Sequence, residues 1–137
     1  MKTPIYLIRL TKQAKEYTKR RQYDRAIQCY ERVLQEVPHD IYALHGLGVT
    51  YRRQRNYHKA IIYLQRVLDE QPSNTYALSE LGKIYRMLKD YKYAIEIFEQ
   101  ILAQYPDNQH ALNELGITYR EQKIYSKAIL SFEAILA

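Results

Sequence analysis

Tryptophan is absent from this 137-residue chain, phenylalanine occurs twice and cysteine once, and glycine and proline stand at four each. Each scarcity excludes something. The lone Cys29 cannot close an internal disulfide, and no Cys/His cluster at zinc-ligand spacing accompanies it, so no disulfide framework and no metal site are expected. A reducing compartment follows as the simplest setting. So few glycines and prolines leave few places for sharp turns, which favours long helices. Long apolar runs are also missing. The opening stretch MKTPIYLIRLTKQAKEY lacks the apolar core of a signal peptide, and no segment approaches the roughly 18 apolar residues of a membrane span, so a cytoplasmic chain with no membrane span is expected.

What is abundant is tyrosine, fifteen of them. A chain that only needed apolar filling would use more phenylalanine and bury fewer phenol hydroxyls, so part of this tyrosine set belongs at surfaces. The net charge of +6 is concentrated in the N-terminal half. Such an excess suits acidic peptides, nucleic acid or an anionic membrane, and equally suits a solvated surface.

Written in rows of 34 residues starting at Leu7, Ile41, Thr75 and Gln109, the chain repeats itself. The fourth position is Leu10, Leu44, Leu78 and Leu112; the seventh is Gln13, Leu47, Leu81 and Leu115. The eighth is Ala14, Gly48, Gly82 and Gly116, and the eleventh is Tyr17, Tyr51, Tyr85 and Tyr119. Spacings of three, four and seven lie on one face of a helix. A second amphipathic helix follows, with tyrosine at 23, 57, 91 and 125 and alanine at 26, 60, 94 and 128. Its apolar face continues through Tyr30, Leu64, Phe98 and Phe132, then Val33, Val67, Ile101 and Ile135. Pro38, Pro72 and Pro106 end that helix, and Asp40, Asn74 and Asn108 are placed to cap the next one. Glycine inside a helix costs about 1 kcal/mol relative to alanine, so three at one repeat position point to a close helix contact.

The pattern Leu-x2-Leu-Gly-x2-Tyr, then Tyr-x2-Ala, an aromatic or leucine, and Pro resembles the tetratricopeptide repeat, and the resemblance runs from Leu7 to Ala137. It implies an all-α fold, a right-handed α-solenoid of tandem helix-turn-helix repeats. The expected organisation is one domain, 1–137, with a lead-in at 1–6 in which Thr3 and Pro4 start the first helix early. The repeats are 7–40, 41–74, 75–108 and a truncated 109–137 with no capping helix. Two departures stand out. Leucine replaces the family's frequent tryptophan at the fourth position. The fifteenth position, where glycine is common, holds Arg21, Arg55, Lys89 and Lys123, which forgo glycine's tolerance of a left-handed backbone but set a cation at a helix C-terminus.

The resemblance also implies a concave groove lined by first helices, a non-catalytic scaffold or adaptor, and a protein or peptide partner. Its inward positions present a mostly aromatic ladder, Ile8, Tyr42, Tyr76 and His110, and a mostly cationic one, Thr18, Arg52, Arg86 and Arg120. Lys15, Lys19, Arg53 and Lys83 add positive charge, His45, Ser79 and Asn113 neutral polarity, and Glu80, Glu114 and Glu121 opposing charge. The candidate peptide-binding residues are therefore Tyr42, His45, Arg52, Arg53, Tyr76, Lys83, Arg86, His110, Asn113 and Arg120, suited to an acidic-aromatic segment. The alternative is that the arginines are solvated helix ends and the tyrosines pack along the groove floor. The family's carboxylate clamp for chaperone tails is absent: its positions read Thr11, Lys15, Gly46, Tyr76 and Glu80 in one register, and His45, Val49, Glu80, His110 and Glu114 in the next.

Enzyme chemistry finds no foothold. Gly46 to Gly48 mimics a phosphate loop, but it sits inside a helical row with no Gly-Lys-Ser/Thr after it and reads as packing. His39, His45, His58 and His110 fall at four different row positions, and Cys29 has no base beside it in sequence, so no catalytic site and no cofactor is expected. RNA binding ranks below peptide binding, because Glu80 and Glu114 interrupt any basic stripe. The uncapped last repeat is expected either to belong to a longer array or to pack against another copy as a homo-oligomer, with Phe132, Ile135 and Leu136 as the self-association end.

Overall fold

Proline, a capping side chain or a left-handed residue at a repeat position accounts for most helix boundaries among the described residues. The computed structural model describes residues 4–137, so Thr3 lies outside the described residues. Among them are eight helices and no strand: α1 Ile5–Lys19, α2 Tyr23–Glu36, α3 Ile41–Arg53, α4 Tyr57–Glu70, α5 Thr75–Met87, α6 Tyr91–Gln104, α7 Gln109–Glu121 and α8 Tyr125–Leu136. The fold class is all-α, built from tandem helix-turn-helix repeats. Contacts gather the helices into two compact units, one ending at Ala77 and one beginning at Leu78.

The stops of α2, α4 and α6 follow from proline. Val37, Gln71 and Tyr105, each directly before a proline, take φ near −130° and ψ near 80°, the extended backbone that a following pyrrolidine ring enforces. Capping restarts the chain. The side chains of Asp40, Asn74 and Asn108 accept from the backbone N–H of Ala43, Ala77 and Ala111 at 2.9, 3.0 and 2.9 Å, as read from the sequence.

The turns inside each repeat use a different device. Arg21, Arg55, Lys89 and Lys123 all stand in the left-handed region at φ of 63° to 65°. In each repeat this residue donates to the carbonyl three back and its successor to the carbonyl five back, as in Arg55 to Arg52 at 2.8 Å and Asn56 to Tyr51 at 2.9 Å. This paired closure satisfies the last carbonyls of the first helix. The sequence departs here from glycine without departing from glycine's backbone, and the strain of the left-handed residue is carried four times over.

Packing within a repeat turns on the eighth position. A Cβ built on Gly48 would lie 2.6 Å from Leu64, one on Gly82 2.5 Å from Phe98 and one on Gly116 2.5 Å from Phe132. Only a hydrogen fits there. In the neighbouring joint the Tyr30 ring occupies the space beside Gly46, and burial pushes its phenol pKa up to about 12. Both glycines of the Gly-Leu-Gly stretch therefore serve packing.

The first row is the exception. Gln13 is exposed and Leu10 half-buried, whereas Leu44 and Leu47 are fully buried, because no described helix packs ahead of α1. The core also takes in positions three and ten, which periodicity had not singled out: Ala43, Ala77 and Ala111, then Thr50, Ile84 and Thr118, all fully buried. The two threonines return their hydroxyls to the carbonyls of Gly46 and Glu114 at 2.7 Å, so neither hydroxyl is stranded. At the nineteenth position Arg25, Lys59 and Lys127 lie over the rings of Tyr17, Tyr51 and Tyr119 at 5.4–5.9 Å, and Tyr93 meets Tyr85 edge-on at 4.5 Å. The repeated tyrosine at position eleven is half core and half cation platform.

Phe98 is fully buried and cannot swing aside for a side chain at position 82. Gly82→Leu is therefore expected to destabilise by at least about 2 kcal/mol in chemical denaturation, an overpacking cost that exceeds the gain in helix propensity. Parental stability in that variant would contradict the packing assignment.

Candidate functional site

Tyr42 and Tyr76, at the second position of α3 and α5, are 76% and 75% exposed. Neither is drawn into the core, because the second position points away from the fourth, seventh and eighth that contact the partner helix. His45 stands one turn after Tyr42, and its ring meets Tyr76 edge-on with centroids 6.3 Å apart. On the same unit Arg52 is half-exposed and Arg53 exposed at the end of α3.

Beside Tyr42 lies a cleft of about 690 Å³ between α1 and α3. Ile5, Ile8, Thr11, Lys12, Lys15, Asp40 and Tyr42 line it. Ile5 is 70% exposed and Ile8 45%, so three large apolar side chains share one open surface on this unit. Ile5, Thr11 and Lys12 had not been assigned to a site from sequence. Their signal is the series Ile5, Ile8, Lys12, Lys15, spaced three, four and three along one face of α1. It begins in the lead-in, outside the 34-residue register, and so escaped a search made by rows.

The second unit handles its charges differently. Arg86 donates from one terminal nitrogen to Glu114 at 3.2 Å and from the other to Glu121 at 2.9 Å. Both Arg86 and Glu114 are largely removed from water, and the Arg86 Nε is buried with no hydrogen-bond partner among the described residues. The expected cationic ladder is thus broken at its middle. Arg86 neutralises a buried carboxylate and offers no open charge to a ligand. Lys83 pairs with Glu80 at 3.7 Å, while His110, Asn113 and Arg120 are exposed. Thr18 leaves the ladder as well. It is buried, its hydroxyl 2.9 Å from that of Thr50 across the α1–α3 joint.

Of the three residues expected at a self-association end, Phe132 packs inward against Gly116 and Ile135 is half-buried. Leu136 is 87% exposed, and the other open apolar side chains on α8 are Tyr125, Ile129 and Leu130 at 57%, 54% and 66%. No group of three or more His, Cys, Asp or Glu gathers to hold a metal ion among the described residues. Among them no helix is long and apolar enough to cross a membrane.

The Arg86 pair sets an energetic test. Arg86→Met leaves Glu114 charged, buried and unpaired, an expected loss of about 2–4 kcal/mol. Arg120→Met, at an exposed site, should cost under about 0.5 kcal/mol. Equal denaturation midpoints for the two variants would show that Arg86 is not structural.

Comparison with known proteins accords with this architecture. Residues 19–101, more than half of the chain, match the family model described as anaphase-promoting complex, cyclosome, subunit 3. Residues 79–137 match a tetratricopeptide repeat model. No curated protein matches the sequence significantly. Among solved structures, a crystal structure of MamA is similar at 22% identity and a TM-score of 0.82, over 95% of this chain and 76% of that one. The MamA RS-1 ArsTM double mutant is similar at 20% identity and 0.80, over 93% and 71%. A tetratricopeptide repeat protein from Parabacteroides merdae ATCC 43184 is similar at 21% identity and 0.83; this chain is covered to 97% and spans about half of that one, 53%. These likenesses speak to the fold. With its four in-register rows, the chain belongs to the tetratricopeptide repeat family, and residues 19–101 fall within the anaphase-promoting complex subunit 3 family model.

Proposed function

We propose that this chain is a non-catalytic interaction scaffold that takes an acidic, partly aromatic or aliphatic segment of a partner protein on its first-helix face. The observation that carries the reading is the exposure of Tyr42 and Tyr76, two large half-polar rings held on rigid helices beside the cations of α1 and α3. Such rings lose little side-chain entropy on binding and supply much contact area. Lys15, Arg52 and Arg53 give this unit its positive side, and His45 adds an edge contact. On the other unit Arg120, His110 and Asn113 form a smaller exposed set, with Lys83 beside Glu80 and Arg86 committed to its carboxylates.

The test is fluorescence anisotropy with labelled peptides of one length, one rich in Asp, Glu and Phe and its counterpart with Lys in place of the acids. The acidic peptide is expected to bind and the basic one not. Tyr42→Ala/Tyr76→Ala should weaken binding about tenfold or more, the loss of two interface anchors. Indifference to peptide charge, or parental affinity in the double variant, would contradict the reading. Displacement of the peptide by an oligonucleotide of equal charge would favour RNA as the ligand instead.

A second reading, self-association along α8, is favoured by the stripe Tyr125, Ile129 and Leu136, apolar and open on one side of that helix. Sedimentation of the parental chain should then show mass rising with concentration above 16.4 kDa, and Ile129→Asp should stay at that mass. A parental chain that is monomeric throughout would contradict it.

A further inference from the structure

The cleft between α1 and α3 carries more than a general preference for acids. Its apolar and cationic parts are segregated along a single helix. Ile5 and Ile8 occupy the N-terminal end of the α1 side, Lys12 and Lys15 the C-terminal end, and Tyr42 rises opposite from α3. At 1.5 Å of rise per residue, the ammonium stems lie about 6–10 Å along the helix from Ile8. The cleft's one carboxylate is already engaged: Asp40 accepts the backbone N–H of Ala43 at 2.9 Å as the cap of α3. No described carboxylate pairs with Lys12 or Lys15, and both are exposed. An apolar floor of this size with two unneutralised cations at one end is asymmetric in both chemistry and direction.

The geometry points to a sequence-reading site: the cleft seats one bulky aliphatic or aromatic side chain of a partner peptide against Ile5, Ile8 and Tyr42 and sets its register by pairing Lys12 and Lys15 with acidic residues two to three positions away. The inference rests on the peptide-binding reading and adds to it the anchor and the spacing. An extended peptide advances about 3.3 Å per residue, so a separation of 6–10 Å corresponds to the second and third residues from the anchor. A carboxylate one residue away falls short of the ammonium groups, and one six residues away overshoots them. The apolar seat excludes water from one side of the ion pairs, which strengthens them relative to pairs in open solvent. Elsewhere among the positions expected to face a ligand, Lys83 already has Glu80 beside it and Arg86 has Glu114 and Glu121. Lys12 and Lys15 are thus two cations of this chain placed beside an apolar seat and left to be neutralised from outside.

The test uses the full chain and a set of labelled ten-residue peptides of identical composition, each with one Phe and two Asp in a Gly/Ser background. The spacing from Phe to the acids is varied from one to six residues on either side. Spacings of two and three, on one side of Phe only, should bind about tenfold more tightly than the rest, the value of a well-placed charged contact. Lys12→Glu/Lys15→Glu should abolish that preference and accept the peptide in which Lys replaces Asp, while Lys92→Glu on α6 should behave as the parental chain. All these positions are exposed, so circular dichroism melting curves should coincide. Acidic peptides binding equally at every spacing, or a double variant no weaker than Lys92→Glu, would overturn the register assignment and leave the broader peptide-binding reading intact. If no acidic peptide binds the parental chain, both fall.

Discussion

The close approach of two helices at the eighth position of the last three repeats is the contact on which most of this structure depends. With glycine there, the side chain at position twenty-four of the second helix lies against the backbone of the first: Leu64 on Gly48, Phe98 on Gly82 and Phe132 on Gly116. Once that contact is made, the remaining positions sort themselves. Position seven joins the core in the last three repeats, position eleven is buried in α3 and α7 beneath a lysine from position nineteen, and position two is turned to water. The exposed tyrosines follow from the buried glycines by helical geometry.

That link explains why the fold was legible and the site only partly so. Period, helix ends and caps are local properties, settled by residues a few positions apart, and Pro38, Asp40 and Gly48 recur often enough to be read by alignment of the rows. The left-handed residues at Arg21, Arg55, Lys89 and Lys123 were less legible, because composition there argues against the backbone that the turn demands. The double closure of carbonyls outweighs the strain of four such side chains. Arg86 shows the limit of row-by-row reading. Its partners Glu114 and Glu121 lie in the next repeat, and a pairing 28 or 35 residues apart carries no period of its own. In a ladder of like residues Arg86 is therefore committed to its carboxylates while Arg120 stands at the surface.

Symmetry of sequence is also broken at α1, and that is where the open cleft lies. Gln13 stands where the other rows have leucine, and Ile5 belongs to no row. The first helix has lost part of its stacking face and gained an apolar edge with two lysines beside it. Repeat positions build the rigid frame, and departures from the repeat supply individual chemistry.

The glycine contact can be weighed directly by a double-mutant cycle at one repeat, with Gly82→Ala, Phe98→Leu and their combination followed by chemical denaturation. If the ring lies against the helix backbone as described, Gly82→Ala is costly beside Phe98 and cheap beside leucine, and the two changes are non-additive by about 1 kcal/mol or more. Costs that simply add would mean that position eight does not sense position twenty-four, contradicting the contact from which the exposed face follows.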